Sequence, residues 1–350
     1  MAAYTTIDDP SAYFKVQLYT GTGSSNAQTF ADTDTDMQPD AVWIKSRTDE
    51  FNNMLYDSVR GVHKHIKPDG NNAEATDTNA LTAFGSDGFT VGSNTDINND
   101  GDTYVAWCWK AGTTTGINTT GADITLAAYS FNQTSGFSII KYVGNDTADT
   151  QVPHGLGAVP KFALFKKLES TGRYQTYHHV LDTDEKLYLD DTHATVTDAD
   201  AWNETDPTSV LWTIDVEDDA NESGEDLVAY SWAPVQGYSS FGTYLGNDNA
   251  DGTFIYTGFK PAWVMTKKIS ASGASWQICD NKRPGYNPID DSLSADSTAA
   301  EQTHVAMDFC SNGFKCRNSN RDSNHNATYV YAAFAEAPLV NSNGVPCTAR

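Results

Sequence analysis

The chain has 350 residues, 39% of them hydrophobic, with 8 Trp, 17 Tyr and 15 Phe, enough apolar mass to bury sizeable cores. Its 46 acidic residues outnumber 22 basic ones, and the resulting charge of −24 repels phosphate backbones and excludes nucleic acid as an expected partner. No apolar run approaches ~18 residues, and Met1-Ala2-Ala3-Tyr4 lacks a basic-then-apolar layout, so a soluble protein with neither membrane insertion nor a secretion signal is expected.

Residues 1–13 read as an N-terminal arm outside the repeated part of the chain. A strand then ends in Tyr19-Thr20-Gly21, a second runs from Pro39 through Ala41-Val42-Trp43-Ile44 to Lys45, and an aromatic strand closes the unit as Tyr104-Val105-Ala106-Trp107-Cys108-Trp109. All three landmarks return. Tyr142-Val143-Gly144 and Tyr244-Leu245-Gly246 repeat the first. Pro160 to Lys166 and Pro261 to Lys267 repeat the second, and Leu227 to Trp232 and Tyr329 to Phe334 repeat the third. Tyr19 to Tyr142 and Trp109 to Trp232 both span 123 residues, while Tyr142 to Tyr244 and Trp232 to Phe334 both span 102. Distant landmarks that keep one offset indicate duplicated units.

The expected fold is all-β, three tandem diverged β-sandwich, jelly-roll-like repeats in a pseudo-threefold arrangement, because short strands rich in β-branched and aromatic residues are broken by Gly, Asn and Asp. The expected limits are repeat 1 at 14–112, a linker or arm at 113–136, repeat 2 at 137–237, repeat 3 at 238–340 and a C-terminal tail at 341–350. Along Tyr104–Trp109, Val105, Trp107 and Trp109 share one face and Tyr104, Ala106 and Cys108 the other. Both faces are apolar, the mark of a central buried strand.

Phe84-Gly85-Ser86-Asp87-Gly88-Phe89 matches Phe309-Cys310-Ser311-Asn312-Gly313-Phe314, and Asp-Gly and Asn-Gly predict tight type I′ hairpins. That turn sets Cys310 opposite Lys315 and Phe309 opposite Cys316, a register that opposes a Cys310–Cys316 bridge. All five cysteines are therefore expected as free thiols.

Few constellations carry chemistry. Glu217-Asp218-Asp219-Ala220-Asn221-Glu222 fits a glycosidase-like Glu-x-Asp-x-x-Glu pattern, but its counterparts, Ser93 to Asp96 and Asn318 to Arg321, share no carboxylate pair, so a solvated turn is the better reading. Asp96, Asn98, Asp100 and Asp102 place oxygen donors at alternate positions with Gly101 sixth, like the start of a calcium loop, yet Trp107 stands where the bidentate glutamate belongs, and a hairpin tip is preferred. Thr33 to Asp36 and Asp182 to Asp191 are similar acidic clusters. His63-Lys64-His65 has metal-compatible spacing without a third ligand, and His178-His179 point to opposite faces if extended. Asp57-x-x-Arg60 and Asp280-x-x-Arg283 read as ion pairs fixing turns. Trp43, Trp202, Trp263 and Trp276 read as core rather than sugar platforms. No phosphate loop, nucleophile elbow or zinc spacing is present. The expectation is a non-enzymatic protein with no catalytic residues and no cofactor.

The opening Ala3 to Phe14, Leu18-Tyr19-Thr20-Gly21-Thr22-Gly23, Gly88 to Gly92, Tyr104 to Ala111, Val152 to Gly157, Tyr256 to Pro261 and Phe334 to Pro338 resemble a family of tail-fibre-like or virion structural proteins of marine tailed bacteriophages. The resemblance spans nearly the whole chain and supplies no catalytic motif. It implies a virion protein, on the tail as a fibre or receptor-binding component, with a decoration protein on the capsid as the alternative and a glycan depolymerase as a distant third. The implied partners are other virion proteins, a host surface glycan or outer-membrane protein, and further copies of the chain in a homotrimer.

Overall fold

The computed structural model describes residues 3–30 and 35–347. They are 42% strand and 3% helix, in several antiparallel sheets, so the all-β sandwich expectation holds. One sheet order occurs three times. An opening strand (Phe14–Thr20, Phe137–Val143, Ser239–Leu245) pairs with a closing strand (Thr103–Trp109, Asp226–Trp232, Thr328–Pro338). The closing strand pairs with a second strand (Ala41–Ser46, Phe162–Lys167, Phe259–Lys268), which pairs with a third (Met54–Asp57, Gln175–His178, Gln277–Asp280). Registers agree as well: Tyr19 faces Tyr104, Tyr142 faces Leu227 and Tyr244 faces Tyr329.

Each of these sheets is apolar on both faces, and that decides the packing. The inner faces converge on one core that takes Trp43, Trp107 and Trp109 from the first unit, Phe162 and Trp232 from the second, and Trp263 and Phe334 from the third. The outer faces form separate cores. In the first unit Tyr104, Ala106 and Cys108 pack beneath the sheet of Asn26–Thr29, Gly88–Val91 and Leu81–Gly85. In the second, Thr150–Pro153 and Leu211–Ile214 form the outer layer. In the third, the sheet continues through Ile289–Ser294, Gln302–Cys310, Gly313–Cys316 and Phe254–Tyr256 and folds over its own outer face. Aromatics of all three units meet at the centre: Trp109 lies 6.0 Å from Trp232 and 5.7 Å from Phe334, ring centre to ring centre, and Phe162 lies 6.0 Å from Phe241. The residual void there is about 20 Å³, lined by aromatic and aliphatic side chains.

The Tyr-x-Gly landmark has a tertiary cause. Tyr19, Tyr142 and Tyr244 donate their hydroxyls to the carbonyls of Ile97, Ala220 and Ser323, at 2.6, 2.6 and 2.5 Å. Buried Asn98, Asn221 and Asn324 accept from the amides of Thr22, Asn145 and Asn247 just beyond the glycine. The glycine is required by close approach. A Cβ on Gly21, Gly144 or Gly246 would lie 2.0, 2.2 or 2.1 Å from the carbonyl oxygen of Asn99, Glu222 or His325.

Several local expectations change. The hairpin registers pair Gly85 with Gly88 and Cys310 with Gly313, leaving Ser86-Asp87 and Ser311-Asn312 as the two loop residues. Phe309 thus faces Phe314, and Cys316 faces Met307. The glycines are needed for a third strand: a Cβ on Gly88 would sit 1.9 Å from Gln28 O, and one on Gly313 2.0 Å from Ile255 O. All five cysteines are free. Inside the segment expected as a linker, Ala128–Asn132 is a strand that pairs with Phe137–Val143. In the expected N-terminal arm, Ile7 enters the central core, while the Tyr4 hydroxyl donates to Gly258 O at 2.8 Å. The expected tail folds back too, with Ser342 N donating to Asp8 Oδ1.

Gly144→Ala tests the close-approach account. Gly144 has an ordinary backbone conformation, so the cost comes from overlap alone, and a loss of about 1–3 kcal/mol is expected in a denaturant titration. A neutral substitution would mean that the turn at Asn221–Glu222 does not bear on this glycine.

Candidate functional site

The candidate site is the set of three seams where the units meet. Two residues beyond the landmark lysine of each second strand, a carbonyl accepts a backbone bond from the neighbouring unit. Glu74 N donates to Leu168 O at 2.8 Å, Thr195 N to Ile269 O at 3.3 Å, and Glu301 N to Arg47 O at 2.9 Å. The first unit thus donates to the second, the second to the third and the third to the first. This is a closed ring.

The landmark lysines belong to the same ring. Lys45, Lys166 and Lys267 are fully buried, and each reaches a carbonyl of the adjacent unit: Lys45 Nζ to Thr298 O at 3.0 Å, Lys166 Nζ to Asn71 O at 3.4 Å and Lys267 Nζ to Asp191 O at 3.2 Å. Burial pushes all three down to about 8. Counterpart carboxylates surround them. Asp69, Asp190 and Asp296 accept the amides of Asn53, Tyr174 and Trp276 at 3.0, 3.1 and 3.0 Å, and burial raises Asp69 to about 6 and Asp296 in the same direction.

A second set of contacts lies deeper. Arg60 Nε meets Asp57 Oδ2 at 2.5 Å, its Nη1 meets Glu74 at 3.1 Å and its Nη2 donates to Leu55 O at 2.9 Å. Arg283 repeats this with Asp280 at 2.7 Å, Glu301 at 3.1 Å and Ile278 O at 2.9 Å. Both Asp–Arg pairs are fully buried, and each carboxylate takes one more donor from the next unit. Tyr230 OH donates to Asp57 Oδ2 at 2.5 Å, and Trp107 Nε1 donates to Asp280 Oδ2 at 3.0 Å.

The second unit carries His178 and Leu181 at the corresponding positions, opposite Ala332 where the other units present Trp107 and Tyr230. Ala332 has no donor, so a carboxylate there would be buried without its third bond. His178 instead is held neutral, pushed down to about 3 by burial, and its Nε2 lies 3.2 Å from Tyr331 O, where a carbonyl can only accept.

The residues singled out in the sequence fall elsewhere. Asn98 spends its amide on Thr22 N and on the carbonyls of Ser24 and Gly92, and Asp102 accepts from Asn99. Asp96 lies on the helical turn Thr95–Asn98, and Asp100 is exposed. The four do not converge on a cation position, and no metal-holding cluster occurs among the described residues. Thr33 and Asp34 lie outside the described residues. Glu217 pairs with Lys186 and Glu222 with Lys167, while Asp219 accepts Arg173 N, so this loop is an ion-pair cluster. His63 has φ +73 in a turn, outside the strand Lys64–His65. His178 and His179 stack at 5.3 Å because the strand ends at His178. Trp43, Trp202, Trp263 and Trp276 are buried. Sequence reasoning recognised the Asp-x-x-Arg turns and missed their bonds to Tyr230 and Trp107. It also missed Asp69, Asp190 and Asp296, whose spacings of 121 and 106 residues match the first repeat offset of the proline landmarks but exceed the second by several residues.

Strand order, shared core and linked seams define an all-β sandwich protein in which one sheet plan is used three times. A family model described as a domain of unknown function (DUF7483) matches residues 9–338, and the chain belongs to that family. Comparison with curated proteins and with solved structures gave no match. No helix among the described residues is long and apolar enough to cross a membrane.

Removing one member of a buried charge pair strands the other. Asp57→Asn and Arg60→Leu are each expected to cost about 3–5 kcal/mol, whereas Asp57→His with Arg60→Leu, the solution of the second unit, should cost less than either alone. Denaturant midpoints of the three variants check this. Single variants within ~0.5 kcal/mol of the parent would contradict it.

Proposed function

We propose that this protein is a non-enzymatic virion structural protein of a tailed bacteriophage, acting on the tail as a fibre or receptor-binding component. The sequence resemblance supplies the virion setting. The observation that carries a structural role is the closed ring of seams, in which buried lysines donate to carbonyls of the next unit and the buried Asp–Arg pairs of the first and third units each take a further donor from the unit beyond. Side chains committed in this way brace a body against load; they are not poised for turnover. We read the ring as a pseudo-threefold body, a shape suited to a threefold position in a larger assembly, where it joins other virion proteins and presents outer loops to a host glycan or outer-membrane protein. As a fibre component it assembles as a homotrimer.

A second reading, capsid decoration at a local threefold axis, draws support from the terminal segments. Tyr4, Ile7 and Ser342 are all bonded or packed onto the chain's own body, so the described residues contain no extended shaft.

Localisation and copy number in intact particles, by cryo-electron microscopy with quantitative protein analysis, separate the two. The fibre reading expects a few copies at the tail in multiples of three and inhibition of adsorption by the isolated protein. Hundreds of copies on the head, with adsorption unaffected, would overturn it in favour of decoration.

A further inference from the structure

Two of the three seams are closed along the opening strand, each in its own way, and among the described residues the third is left as a groove. Among the described residues each opening strand ends its inner sheet apart from one: Phe137–Val143 is covered by Ala128–Asn132, whereas Phe14–Thr20 and Ser239–Leu245 pair in the sheet with their closing strands alone. At the second–third seam the outward carbonyl of Phe241 is met by His179 Nε2 at 3.0 Å. At the first–second seam the cover strand fills the space. Ser130 Oγ accepts Gly112 N at 2.8 Å and lies 3.3 Å from Asp40 Oδ1, while Phe131 and Thr113 exchange backbone bonds at 3.0 Å. At the third–first seam a groove of about 640 Å³ runs along Lys15–Leu18.

The walls of this groove correspond, position for position, to what the cover strand touches. Val16 stands where Ile139 stands, Ala262 where Asp40 stands and Ala337 where Gly112 stands, by the repeat offsets. Asn281 occupies the place of His179, the residue that bonds Phe241 O, yet its own Oδ1 is buried with no hydrogen-bond partner. Lys110 N donates to Tyr13 O and Gly21 N to Asp102 O, so odd-numbered residues face the closing strand, and the backbone groups of Phe14, Val16 and Leu18 face the groove. Leu18 O is met by the Gln17 side chain at 2.9 Å, a local cap of the kind an incoming strand displaces. Lys282 on the rim has no ion pair among the described residues, in a chain of charge −24.

We propose that this groove is a strand-acceptor site. An extended segment of a partner protein adds antiparallel to Phe14–Thr20 in the register that Ala128–Asn132 takes on Phe137–Val143. Main-chain bonds to Phe14, Val16 and Leu18 supply affinity, as in other strand additions. A donor side chain opposite Val16, the position of Ser130, meets Asn281 Oδ1, and a carboxylate toward the rim meets Lys282. The occupant is thus a strand that alternates aromatic residues around a central Ser or Thr and carries an acidic flank. This site is independent of where the protein sits on a virion.

The full chain and a capped peptide of residues 126–134 test this. Expected are saturable micromolar binding and slowed amide exchange at Phe14, Val16 and Leu18, with at least tenfold weaker binding of the same peptide N-methylated at Ser130, since that change removes one ladder bond and blocks approach. Absence of saturable binding at millimolar peptide, or equal binding of the methylated peptide, would overturn the proposal. So would protection of those amides in the free protein. If independent of concentration, it would mean that the chain covers its own edge; if rising with concentration, that a second copy does.

Discussion

Everything else in this molecule depends on sheets that are apolar on both faces. A sheet with one wet face can stand alone in a sandwich, but here Val105, Trp107 and Trp109 point inward while Tyr104, Ala106 and Cys108 point outward, and both sets are buried. Each outer layer covers one face only. The other face must be covered by the other two units, so three sandwiches share one aromatic centre and none is a separate domain in the energetic sense.

A shared centre creates seams, and seams bury polar backbone. Strand ends that would meet water in an isolated sandwich are here enclosed, and their carbonyls need donors. The landmark lysines answer that need: a long stem reaches across the seam, and the ammonium donates to carbonyls of the next unit. The cost is desolvation, visible as three lysines pushed down to about 8. The Asp–Arg pairs follow the same logic. Asp57 and Asp280 are stable only because guanidinium, turn amides and a donor from the next unit converge on them. Where that donor is missing, opposite Ala332, the acid and its arginine are both replaced.

Much of this was legible in the sequence. Invariant offsets gave away the repetition, and alternation within Tyr104–Trp109 gave away a strand buried twice. The Asp-x-x-Arg turns were read correctly as local pairs because the interaction spans three residues. Their bonds to Tyr230 and Trp107 were invisible, since they join positions 173 residues apart. The hairpin turns are shifted by one residue because Gly88 and Gly313 lie on the strand after the loop, where both give clearance to a crossing strand and Gly88 alone also takes a positive φ of +125. The calcium-like spacing at Asp96–Asp102, for which a hairpin tip is the preferred reading, has a tertiary cause that the sequence does not show. Asn98 is a buried clamp repeated as Asn221 and Asn324, and only comparison of all three units separates that role from a ligand's.

The central claim is that the shared aromatic centre makes the three units one cooperative body. Native-state hydrogen exchange of the intact chain at rising sub-denaturing urea tests it most directly, read at the inner-strand amides of Trp107, Tyr230 and Ala332. The account predicts that all three exchange by the same global opening, with one free energy and one urea slope. Three different opening energies, each with the shallow slope of a single unit unfolding alone, would contradict it.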